Sequence, residues 1–405
     1  MSELILQNNN YLKGRIVIII GLMLNALTLV SCSKINNMFK GNNTKFHWTP
    51  TVVAPRNYPV ETGYAVFIYG DKNVGYPVME TRFARGIGNP LSAEDIDDPE
   101  SVYELPKRIR VLWLSITEQK YYKADIEIPA EVQDSMLHLF QKGFYDPVDK
   151  TSEEYNTIVL TLLPGGKMWL TVTGAGKRTL VCDNLKATET HVDFKDFNKE
   201  AYECFSTMQK YCAAALGDYD GVKENLEEVG IPFDLWDVYK ERFNYNLKID
   251  FEDKNAKIDS AHTVCEFTNT DFLNERDNAP LSTWARPFHI TFVWDKAGYK
   301  YIGNFYFDEE EVINVFREAF NQKHRKEKGV LHIHISKYNN RFDLSLNVGK
   351  DEYKLKHTNI YVLKRRIGST STKEEVFYDN CRDIDTDELF FLAFKKWQRI
   401  QNVKL

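Results

Sequence analysis

Two long stretches of this chain follow the same order of apolar and polar residues. The first reads RIRVLWLSITEQKYYKADIEIPAEVQDSMLHLFQKGF at residues 108–144, and the second reads RPFHITFVWDKAGYKYIGNFYFDEEEVINVFREAFNQ at residues 286–322. In both, two segments that alternate apolar and polar residues precede a segment with the spacing of an amphipathic helix. This ordered match predicts an internal duplication. The alternative is chance similarity between two amphipathic stretches of the same β-β-α type.

Individual residues of the two stretches can be paired in order. Trp113 matches Trp294, Lys120 and Tyr121 match Lys300 and Tyr301, Ile126 and Ile128 match Phe305 and Phe307, and Val132, Met136 and Phe140 match Val312, Phe316 and Phe320. The match continues from 163–174 to 338–349, and more loosely from 60–67 to 258–265. We therefore expect two related units, at residues 46–200 and 243–405, in which Trp113 superposes on Trp294 and Tyr121 on Tyr301.

Each unit has the pattern of an antiparallel sheet with one inserted helix. The first unit is predicted to contain a strand near 60–70, a hairpin at 108–128, a helix at 130–143, a second hairpin at 156–173 and a strand at 178–186. Pro129 suits the start of the helix, and Pro164-Gly165-Gly166 suits the turn of the second hairpin. This order of elements predicts the α+β fold class.

The residues between the two units, 201–242, have a helical pattern. Helices are predicted at 198–216, 219–229 and 233–242. The chain closes with another predicted helix, which Asp385 or Thr386 can cap and whose apolar face comprises Leu389, Phe390, Ala393 and Trp397. By position, this last helix would be the counterpart of the helix at 198–216.

An apolar run near the start of the chain has the form of a secretion signal. Lys13 and Arg15 precede IVIIIGLMLNALTLV at residues 16–30, which is shorter than the roughly 20 residues of a membrane span. The run ends in Leu29-Val30-Ser31-Cys32, which resembles the lipobox of bacterial lipoproteins. We therefore expect a signal peptide at residues 1–31 and lipidation of Cys32. The alternative is an uncleaved N-terminal helix with an incidental cysteine.

Lipidation would fix the location of the protein. Each buried methylene contributes about 0.8 kcal/mol, so two or three acyl chains such as palmitate anchor a protein stably. Residues 32–45 read as a polar, lipidated tether without acidic residues. Residue 33 is Ser33, and an aspartate at this position would retain a lipoprotein in the inner membrane, so the serine favours the outer membrane. The lack of acidic residues in the tether favours the periplasmic face of that membrane.

Composition limits the classes of partner. The chain has 405 residues, 13% aromatic residues and a net charge of −6, which favours a well-packed core and argues against binding to nucleic acid. Beyond Cys32, the cysteines are Cys182, Cys204, Cys212, Cys265 and Cys381. Their number is odd and their spacing suggests no framework, so we expect mostly buried thiols and at most one disulfide.

Candidate catalytic and cofactor motifs fit poorly. TGAGKRT at 173–179 lacks the first glycine and the final Ser or Thr of a phosphate-binding loop, and is better read as a turn after a hairpin. DIDTDEL at 383–389 lacks the glycine and the final glutamate of a calcium loop, and fits a helix N-terminus. The sequence therefore predicts no catalytic residue and no cofactor.

Two histidines are weak candidates for metal ligands. In LHIHIS at 331–336, His332 and His334 lie on one face of a strand. The sequence identifies no carboxylate or third histidine near them, and Ile158 and Leu160 stand at the positions matched in the first unit. A half-exposed sheet face is therefore preferred to a metal site.

Several motifs of the first unit resemble a known family. They are FHWTPTVVAPRNYPVETGYAVF at 46–67, the hairpin with Trp113, Ser115, Glu118, Lys120, Tyr121 and Tyr122, and the hairpin from Pro164 to Trp169. They look like the bacterial lipoproteins grouped as domain of unknown function family 2931. The second unit departs from this pattern, with Asp295 in place of the serine and Asn339-Asn340 in place of the two glycines. The motifs are aromatic and turn residues, which support a fold more than a chemistry.

The resemblance also implies a direction for function. Members are often encoded near secreted lipase-type toxins, which implies a role in immunity. We therefore expect a non-enzymatic lipoprotein that is bound to the membrane by its lipid anchor and binds a protein partner such as a toxin of this type; the sequence predicts no binding residues for it. The alternatives are an envelope structural or maintenance lipoprotein without a toxin partner, and an enzyme of unrecognised type.

Overall fold

The computed structural model describes residues 43–84, 86–88, 101–146, 151–174, 177–267, 272–274, 284–368 and 374–380. The expected signal peptide, Cys32, Cys381, the DIDTDEL segment and the last predicted helix lie outside the described residues. Within them, no helix has the length and apolar character of a membrane span. The fold class is α+β, with antiparallel pairing predominant.

The helices and strands are numbered here in chain order. The helices are α1 Ala130–Lys142, α2 Phe194–Phe197, α3 Lys199–Phe205, α4 Met208–Ala215, α5 Val222–Val229, α6 Leu235–Tyr239 and α7 Glu309–Ala319. The strands of the first half are β1 Lys45–Phe46, β2 Thr49–Val53, β3 Val60–Tyr69, β4 Val74–Pro77, β5 Arg82–Phe83, β6 Tyr103–Glu104, β7 Pro106–Ser115, β8 Lys120–Glu127, β9 Phe144–Asp146, β10 Thr151–Glu153, β11 Thr157–Leu163, β12 Lys167–Gly174, β13 Lys177–Lys186 and β14 Thr188–Thr190. Those of the second half are β15 Tyr245–Phe251, β16 Lys257–Phe267, β17 Phe272–Asn274, β18 Pro287–Lys296, β19 Tyr299–Tyr306, β20 Gly329–Ile335, β21 Phe342–Val348, β22 Asp351–Leu355, β23 Asn359–Arg366 and β24 Glu375–Asp379.

Two sheets and one helix share the core of the first unit. The four-stranded sheet has the order β13-β12-β11-β2, and β2 pairs with β11 in parallel. The other sheet has the order β14-β8-β7-β3-β4, with β5 also paired to β3. Trp48, Trp113 and Met168 are buried in the common core, and α1 adds Val132, Met136 and Phe140 from one face. These are the apolar positions that the helical spacing predicts.

The second unit is built in the same way. Its four-stranded sheet has the order β15-β20-β21-β22, and β15 pairs with β20 in parallel. Its other sheet has the order β17-β16-β18-β19-β23-β24. Helix α7 packs Val312 and Phe316 into a core that contains Trp294, Phe305 and Ile333. The two units thus share a parallel strand pair, a first hairpin, an inserted helix and a second hairpin in the same order.

The register of the first hairpin changes one predicted correspondence. Trp113 lies opposite Tyr122 on β7 and β8, and Trp294 lies opposite Tyr301 on β18 and β19. Tyr122, not Tyr121, is therefore the positional counterpart of Tyr301. The cause is loop length, because residues 116–119 connect β7 to β8, whereas two residues with positive φ, Ala297 and Gly298, connect β18 to β19. The duplication itself stays a prediction.

The predicted helix at 198–216 is two helices. Ser206 has a left-handed conformation (φ 62°, ψ −20°) and ends α3, and the side chain of Thr207 accepts a hydrogen bond from the Lys210 N–H at 3.3 Å to cap α4. A capping side chain of this kind favours a new helix start over continuation. The segments predicted at 219–229 and 233–242 contain α5 and α6.

Helix α6 packs against both units. Leu235, Trp236, Val238 and Tyr239 of α6 are buried in one cluster with Tyr58, Leu163 and Trp169 of the first unit and Ile313 of α7. The Tyr58 and Trp236 rings meet edge to face with centroids 5.4 Å apart. The Tyr239 hydroxyl donates to buried Glu309 at the start of α7. The connector and both units therefore share apolar surface.

An ion-pair network extends this contact. Arg286 is 1% exposed, donates to the Val238 carbonyl oxygen at 3.0 Å and pairs with the Glu241 carboxylate. Arg317 of α7 donates to the same carboxylate at 2.9 Å. Burial alone would raise the pKa of Glu241, but the hydrogen bonds and charges of Arg317 and Arg286 outweigh it and hold this pKa below its usual value.

Three cysteines have described side chains, and all three are free thiols. Cys182 and Cys212 are buried, and Cys204 is exposed. Burial, together with the nearby Glu61 carboxylate, raises the pKa of the Cys212 thiol to about 12. A thiol with so little thiolate at neutral pH is a poor nucleophile, so Cys212 serves packing.

Candidate functional site

The parallel pair β15–β20 brings the two candidate histidines beside a carboxylate. In its register, Lys248 is next to His332 and Asp250 is next to His334. Neighbours across a strand pair point to the same face of the sheet, and the residues between them point to the other face. Leu247, Ile249, Leu331 and Ile333 accordingly pack against the core of the second unit. The polar side chains lie on the outer face.

Asp250 binds both histidines. His332 donates from Nε2 to Oδ1 of Asp250, and His334 donates from Nδ1 to Oδ2 at 2.8 Å. The side chains of Asp250, His332 and His334 are 37%, 26% and 31% exposed. We call these three residues the Asp250 cluster. Among the described residues, it is the group whose His, Cys, Asp or Glu ligand atoms converge, within 4.8 Å of one another.

The charges around the cluster keep Asp250 ionised. Partial burial would raise the pKa of Asp250, but the hydrogen bonds from His332 and His334 and their charges outweigh it and lower this pKa below its usual value. Lys248 adds positive charge, with its Nζ 3.8 Å from Oδ1 of Asp250. The Asp250 carboxylate therefore lies beside three basic side chains on one sheet face, His332 and His334 of the cluster and the neighbouring Lys248.

A groove continues from the cluster towards β22 and β23. Ser345 lies opposite His332, and Asp343 lies opposite His334 on β21. His332, His334, Asp343, Ser345 and Lys354 line part of a cavity of about 590 Å³. A small polar molecule or a side chain from another protein could enter this space beside the histidines.

The matching face of the first unit is closed. Ile158 and Leu160, which the sequence matched to the histidines, belong to the core of the first unit, as Leu331 and Ile333 do in the second. The outward positions of β11 are instead Val159 and Thr161, both fully buried. Thr161 accepts a hydrogen bond from the Gly88 N–H at 3.1 Å. The same sheet face is thus covered in one unit and polar in the other.

The sequence pointed to the histidines but not to their carboxylate. Asp250 precedes His332 by 82 residues, and only a parallel pairing joins their strands. The available signal was the alternation of YNLKIDF at 245–251, which places Lys248 and Asp250 on one face of a strand.

The glycine-rich segment 173–179 joins β12 to β13, whose end residues Gly174 and Lys177 pair with each other.

Comparison with known proteins identifies the first half of the chain. A family model described as "Protein of unknown function (DUF2931)" matches residues 33–234. Residues 33–234 belong to the DUF2931 family. The match includes the first unit and the connector as far as α5, and it ends one residue before α6. No curated protein and no solved structure matches the chain. The Asp250 cluster therefore lies outside the DUF2931 region.

The DUF2931 motif residues hold two hairpins together. The Glu118 carboxylate, in the turn of the first hairpin, accepts hydrogen bonds from the Gly165 N–H at 3.1 Å and from the Tyr122 hydroxyl at 2.7 Å. Gly166 lies against the Tyr122 ring, so closely that a Cβ atom there would be 2.8 Å from Cδ1. Tyr122 in turn packs against Trp113, with ring centroids 5.3 Å apart. These contacts give the motif a structural role.

Proposed function

We propose that this protein is a lipoprotein of the outer membrane, anchored through acyl chains on Cys32, that binds another macromolecule at the periplasmic face. The observation that carries the proposal is Leu29-Val30-Ser31-Cys32 at the end of an apolar run too short for a membrane span. The first described strand begins at Lys45, so a polar segment separates the anchor from the folded body.

Binding, not catalysis, fits the residues described above. The motif residues of the DUF2931 region form hydrogen bonds and ring contacts within two hairpins. Helix α6 packs with both units, which supports a body that presents a fixed surface. A fixed surface loses less entropy on association than a mobile one, and a specific protein complex needs about 800 Å² on each partner.

The partner that we propose is a secreted toxin that acts on the envelope, of the lipase type. This makes the protein an immunity protein. Its support is the resemblance of the first unit to lipoproteins encoded near such toxins, together with an anchor that would place the body where such a toxin arrives. An envelope maintenance lipoprotein without a toxin partner is the alternative, and an unrecognised enzyme is a further one.

The test combines a challenge assay with a change at the anchor. Cells that lack the protein are exposed to each toxin encoded beside its gene, and are complemented with wild type or with Cys32→Ser. We expect the deletion to lower survival at least tenfold against one toxin. Wild type should restore survival. Cys32→Ser should restore much less and should no longer incorporate a labelled fatty acid, because the substitution removes the thiol that is acylated.

The lipid anchor, the immunity role and the maintenance role each predict a different set of results. Unchanged labelling of Cys32→Ser would contradict the lipid anchor. Equal survival with and without the protein against every neighbouring toxin, together with failure of the purified protein to capture any of them, would contradict the immunity role. An envelope defect in the deletion strain without any toxin would favour the maintenance role. A matched Cys204→Ser variant, which changes an exposed free thiol, should behave as wild type.

A further inference from the structure

We propose that Asp250, His332 and His334 form a binding site for a divalent transition-metal ion of the zinc class, on the outer sheet face of the second unit. Imidazole nitrogens and a carboxylate oxygen are common zinc ligands, and imidazole disfavours magnesium and calcium, which prefer oxygen. This inference goes beyond the proposed function, since it requires neither the lipid anchor nor a toxin.

The backbone already places the ligands for such an ion. His332 and His334 are two residues apart on β20, so their side chains share a face, and Asp250 reaches them from the parallel strand β15. Their ligand atoms lie within 4.8 Å of one another. A tetrahedral zinc ion about 2.1 Å from each ligand needs ligand atoms about 3.4 Å apart. Rotation of side chains that are partly exposed can meet this spacing without movement of the sheet.

Three protein ligands define the kind of site. A structural zinc site usually has four protein ligands, whereas a site with three leaves one position for water or for another molecule. The groove lined by Asp343, Ser345 and Lys354 adjoins the histidines. The open position can therefore accept a small molecule or a side chain of a partner protein.

One neighbouring charge opposes the ion. The Lys248 ammonium lies 3.8 Å from Oδ1 of Asp250, and it would repel a divalent cation bound to the same carboxylate. Lys248 is 60% exposed and can turn towards solvent. Its removal should therefore increase the affinity for the ion, whereas removal of a ligand should decrease it.

The experiment is calorimetric titration of the intact chain, purified in detergent and stripped of metal with a chelator. We expect one zinc ion per chain and no comparable heat with magnesium. His332→Ala, His334→Ala and Asp250→Asn should each weaken zinc binding at least ~10-fold. Changing a residue that only hydrogen-bonds to a metal ligand usually weakens binding by about that factor, and removal of a ligand itself should weaken it further. Lys248→Ala should bind zinc more tightly than wild type.

The controls separate this site from general binding to histidines. His138→Ala changes an exposed histidine on α1 of the first unit and should bind zinc as wild type does. Thermal unfolding without metal checks that each variant is folded, and cobalt gives a visible absorption band that should disappear in His334→Ala. Absence of zinc binding by wild type, or zinc binding that is unchanged in Asp250→Asn and both histidine variants, would overturn the proposal.

Discussion

At the scale of single residues, Gly166 shows how closely the two hairpins of the first unit approach. It has φ of 72°, and a Cβ atom there would lie 2.8 Å from Cδ1 of Tyr122 and 3.1 Å from the carbonyl oxygen of Ala187. Gly298, in the first hairpin of the second unit, has φ of 79° but has no atom within 4 Å of the same position. The two glycines therefore share a positive φ and differ in their surroundings.

This difference predicts two unequal losses of stability. Gly298→Ala should cost about 1–2 kcal/mol of the free energy of unfolding, the usual strain of a side chain in the left-handed region. Gly166→Ala should cost about 1–3 kcal/mol more, because the new methyl group must also displace the Tyr122 ring. Denaturant unfolding of both variants measures the two values. Equal losses would show that Tyr122 moves freely and does not constrain the turn.

At the scale of elements, the connector breaks between α3 and α4 where it packs against the first unit. Ala201 of α3 and Tyr211 and Cys212 of α4 are buried in one cluster with Leu114 and Tyr121 of the first hairpin. The left-handed Ser206 ends α3 and the Thr207 side chain caps α4, so two separate helices of the connector contribute residues to this cluster.

The cap at Thr207 gives a prediction with a close control. Thr207→Ala should lower the free energy of unfolding by about 1 kcal/mol, because the Lys210 N–H loses its side-chain acceptor at a solvent-exposed helix start. Thr207→Ser keeps the hydroxyl and should differ from wild type by less than half of that amount. Equal unfolding midpoints for the alanine and serine variants would show that the cap does not stabilise α4.

At the scale of the whole molecule, the Glu241 network links the connector to the second unit through a carboxylate between two arginines. The pKa of Glu241 is lowered in the folded protein, so folding favours its ionised form. The stabilisation is present above pH 4.5, the usual pKa of a glutamate and the value expected for Glu241 in the unfolded chain. It is lost as the pH falls through the lower pKa that Glu241 has in the folded protein. Stability should therefore fall as the pH is lowered from 5 to below 4.

Glu241→Gln tests this pH dependence. At pH 7 the variant should be less stable by about 2 kcal/mol, since the Arg286 and Arg317 guanidinium groups lose the negative charge of their acceptor and face a neutral amide. The difference between variant and wild type should shrink as the pH falls below 4. Melting temperatures across pH 3–7 measure it, with Glu203→Gln, an exposed residue of α3, as a control that should follow wild type. A difference independent of pH would contradict the assigned role of the carboxylate.

Local patterns in the sequence predicted the helices and strands. The pairing of strands that are far apart in the chain could not be predicted in this way. The alternation at 108–128 and the helical spacing at 130–143 depend on near neighbours, and the structure has β7, β8 and α1 there. The parallel pairs β2–β11 and β15–β20 join residues far apart in the chain, so neither was visible in advance. The Asp250 cluster depends on the second pair, and its histidines could be proposed from sequence while its carboxylate could not.

The burial of α6 between the units also has a consequence for how the chain folds as it is synthesised. Domains commonly fold in order, each as soon as it has emerged. Here the cluster that covers Tyr58 and Trp169 is completed by Trp236 and by Ile313 of α7. This apolar surface of the first unit is therefore not fully covered until α7 of the second unit has followed. During that interval, a chaperone has an apolar surface of the nascent chain to bind.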